Sequence, residues 1–315
     1  MRILINPGNS NCVIATIAIG KKFLNDWERF AKPSWETYCK KHSLGLIVFE
    51  EDLIDKQNKF WKKPTWQTTL IGDSVRNSNL NIKNVCVLDG DIIINPFAPN
   101  VFSQFDEDTI GLVSLRKNLP YPYNQTLRRI AFLRNRYYSS DYPLDSSLFI
   151  STKELYEFHN FEPQEDEACS GFFVFNVENH SDFLKSIFFK YTQNINTITG
   201  GGEQTHINYE IQKNSKVSWF DYKFQALWVY EMAWKYPFLY HNGQENNHTV
   251  RLCVEASIFT NYFLHFAGSW HEGDMWKIDN ILQQTDIKEQ FEKFNEYLKM
   301  PVSGKPIGQI KPTNK

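Results

Sequence analysis

The sequence predicts an α/β fold: a single Rossmann-like domain on a mainly parallel central sheet flanked by helices. Three observations carry this. Short apolar, β-branched runs recur along the chain, as strands buried on both faces of a parallel sheet require. Segments with helical spacing of large apolar residues separate them, so the order reads β-α-β. Finally, one of these runs stops abruptly at an acidic triplet, Asp89-Gly90-Asp91, and open parallel sheets bind ligands beyond the carboxyl ends of their strands.

The first run is CVIATIAI, residues 12 to 19, ended by Gly20. Phe23, Trp27, Phe30, Ala31, Trp35 and Tyr38 follow at helical spacing, and Pro33 is expected to kink that helix or split it in two, because it lacks the N–H the helical ladder uses. LGLIVFE, 44 to 50, completes the first β-α-β unit. A helix from Trp66 to Arg76, beginning near Pro64, precedes the strand NVCVL, 84 to 88. IIINPF follows the triplet, and IGLVSL, 110 to 115, is a further strand. Residues 116 to 143 mix Arg, Tyr and Pro, with a helical piece around Gln125 to Arg136. This excursion reads either as a lid facing an acceptor or as a solvated surface helix and loop. The sheet resumes with SGFFVFN, 170 to 176, followed by a helix through Phe183, Ile187, Phe188 and Tyr191. A glycine turn at Gly200 to Gly202 leads into Glu203-Gln204-Thr205-His206-Ile207-Asn208 at a helix start. The domain is expected to span 1–300, with a mobile Pro-, Gly- and Lys-bearing tail at 301–315. No internal repeat or interdomain linker is evident.

With 34 basic against 36 acidic residues and a net charge of -2, nothing calls for a nucleic-acid partner. The five cysteines are scattered, odd in number and form no CxxC pair, which suggests neither a zinc site nor a disulfide framework and fits a reducing, cytoplasmic setting. No signal-peptide pattern and no membrane-length apolar run is present. The 16% aromatic content serves a large core, and any surface that stacks on sugar rings.

The triplet admits two readings. Asp and Gly are common turn residues. Two carboxylates one residue apart at a strand end also converge on a hard divalent cation, which bridges diphosphate oxygens, and the intervening Gly90 lets backbone approach a ligand closely. The apolar residues on both sides favour the second reading, since ionised Asp rarely sits in such a run without a partner.

NVCVLDGDIIINPF resembles the metal-binding signature of glycosyltransferases with the GT-A fold. ATIAIGKKFL resembles their first strand and turn, which implies donor-nucleotide contacts from Thr16, Ala18, Gly20 and Phe23. SGFFVFN resembles the block that lines the sugar and acceptor pocket. GGGEQTHIN resembles the loop-to-helix motif of retaining members, among them bacterial lipopolysaccharide galactosyltransferases and blood-group-type transferases. That implies Gln204 on the sugar face opposite the diphosphate, with Glu203 before it and Asn208 closing the pattern. FLHFAGSW resembles the late His-x-x-Gly block of the galactosyltransferase and glycogenin group, which makes His265 the third protein ligand and puts Gly268 by the phosphates. The likeness spans residues 12 to 268. It departs in one respect: the lysine that commonly follows His-x-x-Gly is replaced by Ser269, Trp270 and His271. Lys277 lies too far on to replace it, and Lys62 and Lys63 are either donor-facing substitutes or a solvated pair.

What the resemblance implies is Mn²⁺ or Mg²⁺ on Asp91 and His265, with Asp89 on the metal, the ribose or both. The donor is a nucleotide sugar, expected to be a UDP-sugar, and the acceptor a hydroxyl of a glycan, glycolipid or protein. Gln204 is a poor nucleophile and suits a front-face, retaining route. Glu203, the motif's carboxylate, either binds sugar hydroxyls, acts as base in an inverting enzyme, or simply stabilises the helix N-terminus. Arg128, Arg129, Arg134 and Arg136 with Tyr137 and Tyr138 offer a surface for an acidic glycolipid.

Two rivals are weighed. A haloacid-dehalogenase-type phosphatase also places DxD after a buried strand, but here Ile93 stands where Thr or Val is usual. Its GDxxxD motif is also one residue too long over Gly273, Asp274 and Asp279. A non-catalytic nucleotide-sugar-binding protein on the same fold needs the pocket without a competent metal centre. A nucleotidyltransferase is disfavoured because AIGKKF is too sparse for its Gly-rich basic loop.

Overall fold

A computed structural model describes residues 1–78, 80–138, 149–198, 202–242, 247–268 and 270–282. Met1–Asp279 forms one compact unit; of the second unit, Asn280–Lys315, only the first three residues are described. The predicted boundary at 300, the tail 301–315, part of the 116–143 excursion, Gly200, Gly201 and Ser269 lie outside the described residues.

The architecture is α/β. Seven strands form the central sheet: β1 (Arg2–Ile5), β2 (Cys12–Ile17), β3 (Gly45–Phe49), β4 (Asn84–Leu88), β6 (Ile110–Ser114), β7 (Ala168–Asn176) and β8 (Val217–Phe220), in the order β1-β3-β2-β4-β7-β6-β8. β3, β2 and β4 are parallel neighbours, and so are β6 and β8, while β1 and β7 run antiparallel to the strands they pair with. The sheet is therefore mixed, with five of its seven strands pointing one way.

The segments predicted as strands in the first half form as expected because their apolar residues have somewhere to go on both faces. Val13, Ala15, Val85, Val87, Phe173 and Phe175 point into one core with Trp66, Ile71 and Val75, and with Leu184, Ile187 and Phe188 of the helix Val177–Lys190. Alternate residues, such as Ile14, Leu46 and Cys86, are equally buried against the other layer. Each large apolar side chain fully buried in this way contributes roughly 1.5–3 kcal/mol.

Pro33 has the predicted effect through a specific device. The chain runs as a helix Lys21–Asp26, widens into a π-helical turn at Trp27–Ala31, and resumes as Lys32–His42 with the proline in its first turn. The second piece grips the segment that follows the acidic triplet. Trp35 Nε1 donates to the Ile92 carbonyl (2.7 Å), Ser34 Oγ accepts from Ile94 N–H (3.1 Å), and Tyr38 OH bridges the Pro99 carbonyl and Val101 N–H (2.8 Å each). The predicted helix at 64–76 is also broken, by a 3-10 turn at Thr68–Leu70.

A second, three-stranded sheet was not foreseen. β5 (Ile92–Ile94), β9 (Ala226–Leu227) and β10 (Phe263–His265) assemble in the order β5-β10-β9. Phe172 of β7 packs against Phe263 of β10, so this small sheet stacks on the face of the large one near the end of β4.

Candidate metal centre

Asp89 and Asp91 follow β4 directly, and His265 is the last residue of β10. β10 runs antiparallel to β5 with His265 opposite Ile92, which brings the imidazole beside Asp91. Phe266 N–H then donates to the Asp91 carbonyl (3.2 Å) and closes the corner. His265 Nε2 lies 3.2 Å from Asp91 Oδ1 and 3.7 Å from Asp89 Oδ2. The ligand-capable atoms of the three residues all lie within 4.8 Å of one another, the single such group among the described residues. The histidine is 2% exposed, while the Asp89 and Asp91 side chains are 37% and 23% exposed, so the cluster opens to one side.

Two glycines make room for it. Asp89 N–H donates to the Gly171 carbonyl (3.0 Å), and a Cβ at Gly171 would lie 2.5 Å from His265 Cε1 and 2.6 Å from Asp89 Oδ2. The space that brings these ligands together exists because residue 171 has no side chain. At Gly90 a Cβ would meet the Phe23 ring at 2.9 Å, so the bare backbone of the triplet accepts that ring.

The rear of His265 is fixed by Gln225 and Cys169. With its amide oriented to donate to the Cys169 carbonyl (3.3 Å) and accept from Phe172 N–H (3.0 Å), Gln225 Oε1 accepts from His265 Nδ1 (3.3 Å). Cys169 Sγ lies 3.6 Å from the same nitrogen. With a cation displacing the second proton, a proton held on Nδ1 would leave the Nε2 lone pair facing the aspartates, the arrangement a histidine ligand needs.

The electrostatics fit a cation. Partial burial raises the Asp89 carboxyl above the usual carboxylate range; His265 opposes this, while Asp91 and Glu203 reinforce it. Burial opposes protonation of His265, yet Cys169 and Asp91 outweigh it and hold its pKa well above the usual imidazole value. Crowded carboxylates retain protons that a divalent ion displaces. Two carboxylates and one imidazole are a donor set suited to Mn²⁺ or Mg²⁺.

Glu203 stands at the N-cap position of the helix Gln204–Asn214 without a side-chain capping bond, is buried, and accepts a hydrogen bond from Ser170 Oγ. Gln204 Nε2 donates to Glu167 Oε1 (2.6 Å), and its Oε1 accepts weakly from Ser170 N–H (3.4 Å). Asn208 clamps this helix to β7 by pairing with both the N–H and the carbonyl of Ala168 (2.8 Å each). His206 turns away, among the rings of Trp66, His159, Phe161 and Tyr191, where burial lowers its pKa to about 4. Gln204 and Gly268 share a cavity of about 160 Å³ with Arg116, Glu167, Cys169 and Tyr230; Cys169 is its link to His265. Gly268 has φ of 104°, a backbone state that favours glycine.

Of the residues expected at the nucleotide, Gly20 and Phe23 are exposed and Phe23 touches the triplet, whereas Thr16 and Ala18 have no exposed surface. Ala18 also spends its N–H on the Phe49 carbonyl (2.8 Å). The side chains of Thr16, in β2, and of Ala18, just beyond it, are therefore packed inside the protein.

Two expectations are corrected, for Lys62 and for Arg134. Lys62 is neither solvated nor donor-facing: it is fully buried and donates to the carbonyls of Phe60, Phe188 and Tyr191 at 2.7–2.9 Å. Lys277, already set aside as a replacement lysine, is held by Asp274 (2.6 Å) and Asp26 (3.5 Å). Arg134 is buried against Glu272 (3.0 Å) and so belongs to no lipid-facing surface, although Arg128 and Arg136 are exposed. The acidic residues a dehalogenase-type phosphatase would need also face elsewhere, Asp279 onto Arg29 (2.5 Å) and Asp274 onto Lys277.

Gln225, Cys169, Ser170 and Glu167 were not singled out from the sequence. Gly171 had a signal, an isolated glycine inside a strand; Gln225, in an irregular connection, had none. Among the described residues no helix is long and apolar enough to cross a membrane.

No protein-family model matches the chain, and no curated protein does. Among solved structures, a glycosyltransferase involved in glycosylation of the major capsid of PBCV-1 aligns at 10% identity and a TM-score of 0.42, over 84% of this chain and 97% of that one. The bifunctional glycosyltransferase WbbM aligns at 11% identity and 0.41, over 90% of this chain and 51% of that one. Mouse xyloside xylosyltransferase 1 aligns at 11% identity and 0.35, over 72% and 91%. With TM-scores below 0.5 these likenesses carry no weight, and the chemistry has to be read from the chain's own residues.

Proposed function

We propose that this chain is a metal-dependent glycosyltransferase of the GT-A type that transfers a sugar from a nucleotide-sugar donor, UDP-linked by the sequence resemblance, to an acceptor hydroxyl. The observation that carries the reading is the convergence of Asp89, Asp91 and His265 at the end of β4, beside a cavity walled by Gln204 and Gly268. Mn²⁺ or Mg²⁺ bound there would supply the charge that stabilises a departing diphosphate. Asp91 and His265 hold the ion, and Asp89, the most exposed of the three, serves the ion and the ribose side. Phe23, half-exposed over Gly90, is placed to stack on the base.

Gln204 is a neutral amide whose nitrogen is committed to Glu167, so it positions a dipole toward the sugar and is no strong nucleophile. That supports a front-face, retaining route. Glu203, buried and tied to Ser170, acts on this site through its charge near Asp89, while Glu167 is the carboxylate that lines the cavity and faces sugar hydroxyls. A binding protein on the same fold differs in one respect: it would engage the donor without turnover.

Calorimetry with UDP and Mn²⁺ tests the metal assignment. Asp91→Ala and His265→Ala, each folded, are expected to lose metal-dependent UDP binding; wild-type affinity in both variants overturns it.

A further inference from the structure

The sequence lacks the lysine that would neutralise a phosphate after Gly268, and neither Lys62 nor Lys277 replaces it. The cavity beside Gly268 does contain cationic groups, and they come from residues far away in sequence. Arg134, on the inner face of the helix Tyr123–Tyr137, and Arg116, just after β6, both line it. The Arg134 side chain is 6% exposed and that of Arg116 is 10% exposed.

Each guanidinium is anchored on one edge and unfilled on another. Arg134 Nε donates to Glu272 Oε1 (3.0 Å) and its plane lies over the Trp270 ring, 4.1 Å from the centroid. Its Nη1 is buried with no acceptor among the described residues. Arg116 donates to Glu167 Oε2 (2.7 Å) and to the Ile150 carbonyl (2.9 Å), and its Nε is likewise buried with no acceptor. An unpaired buried N–H on a charged group is costly, and both arginines that line this cavity carry one.

The surroundings tie these groups to Gly268. A Cβ at Gly273 would lie 2.3 Å from the Gly268 carbonyl, so the 3-10 turn His271–Asp274 packs directly on that glycine. The same turn supplies Glu272. Gly268, Glu272, Trp270 and Arg134 thus form one packed unit, and the cavity's charged lining is two arginines against one carboxylate, Glu167.

We propose that this cavity is an anion subsite, in which Arg134, assisted by Arg116, receives negatively charged oxygens of the nucleotide sugar. The proposal rests on the nucleotide-sugar reading above. The oxygens belong either to the diphosphate or to a carboxylate on the sugar, and bidentate or charge-assisted donation from guanidinium suits both.

The test compares binding of UDP, UDP-glucose and UDP-glucuronate, each with Mn²⁺, to wild type and to the double variant R134Q/E272Q. Removing both charges avoids stranding one in the interior. R134K, which keeps the pair with Glu272 but withdraws Nη1, is the second variant should the first fail to fold. Thermal unfolding confirms that the variants compared are folded. A roughly 10- to 100-fold loss for all three ligands assigns the diphosphate. Loss confined to UDP-glucuronate assigns the sugar carboxylate, and both outcomes support the subsite. Unchanged affinity for all three in a folded variant overturns it while leaving the glycosyltransferase reading intact. If wild type binds none of the three with Mn²⁺, that reading fails, and the subsite with it.

Discussion

Replacing Gly171 with alanine adds one methyl group at the point where the two chain segments bearing the proposed metal ligands meet. The new Cβ would lie 2.5 Å from His265 Cε1 and 2.6 Å from Asp89 Oδ2. Ordinary carbon contacts need about 3.5 Å, so each ligand must retreat by up to about 1 Å. The backbone itself accepts alanine, because Gly171 is not among the positive-φ glycines, so the effect is steric. His265 has little room to yield: it is buried, and Gln225 and Cys169 stand behind it. Metal–ligand distances tolerate only about 0.2 Å, several times less than the displacement required. A loss of Mn²⁺ affinity of at least about 100-fold is expected, with a stability cost of roughly 1–3 kcal/mol from overpacking. Calorimetric titration of Mn²⁺ in the presence of UDP, alongside thermal unfolding, reads both. G171A that binds Mn²⁺ as tightly as wild type would refute the claim that this glycine holds the centre's geometry.

Two further outcomes follow from the same contacts. Gln225→Leu removes the acceptor for His265 Nδ1 while keeping the volume, and should weaken Mn²⁺ binding by about 10- to 100-fold without unfolding the chain; equal affinity would show that the tautomer is set elsewhere. Burial lowers the Lys62 pKa from 10.5 to about 8, so between those values the unfolded chain binds more protons than the folded one. Stability should therefore rise with pH across that window relative to a Lys62→Met variant, and denaturant midpoints that stay parallel between the two would contradict the assignment.

The first half of the fold was legible because its strands are continuous apolar runs and its helices carry aromatic residues at regular spacing. β1 was not, since RILI is short and partly exposed at the sheet edge. β9 and β10 were hidden for another reason: at two and three residues they are too short for periodicity, and only pairing between β10 and β5 makes them strands. That pairing is what delivers His265 to Asp91, so the candidate metal centre was visible as three residues through family resemblance but not as geometry. Lys62 shows the opposite failure. A lysine next to another lysine reads as solvated surface, and nothing local announces the three carbonyls that surround it. Likewise the motif that contains Thr16 gives no sign that its side chain is fully buried within β2.

The most direct measurement is release of nucleoside diphosphate from a panel of nucleotide sugars by the purified chain, with Mn²⁺, with a chelator, and by folded Asp91→Ala. Release by wild type that disappears with chelator and in the variant is the predicted result. Release that persists in both, or none from any sugar donor, would contradict a metal-dependent glycosyltransferase.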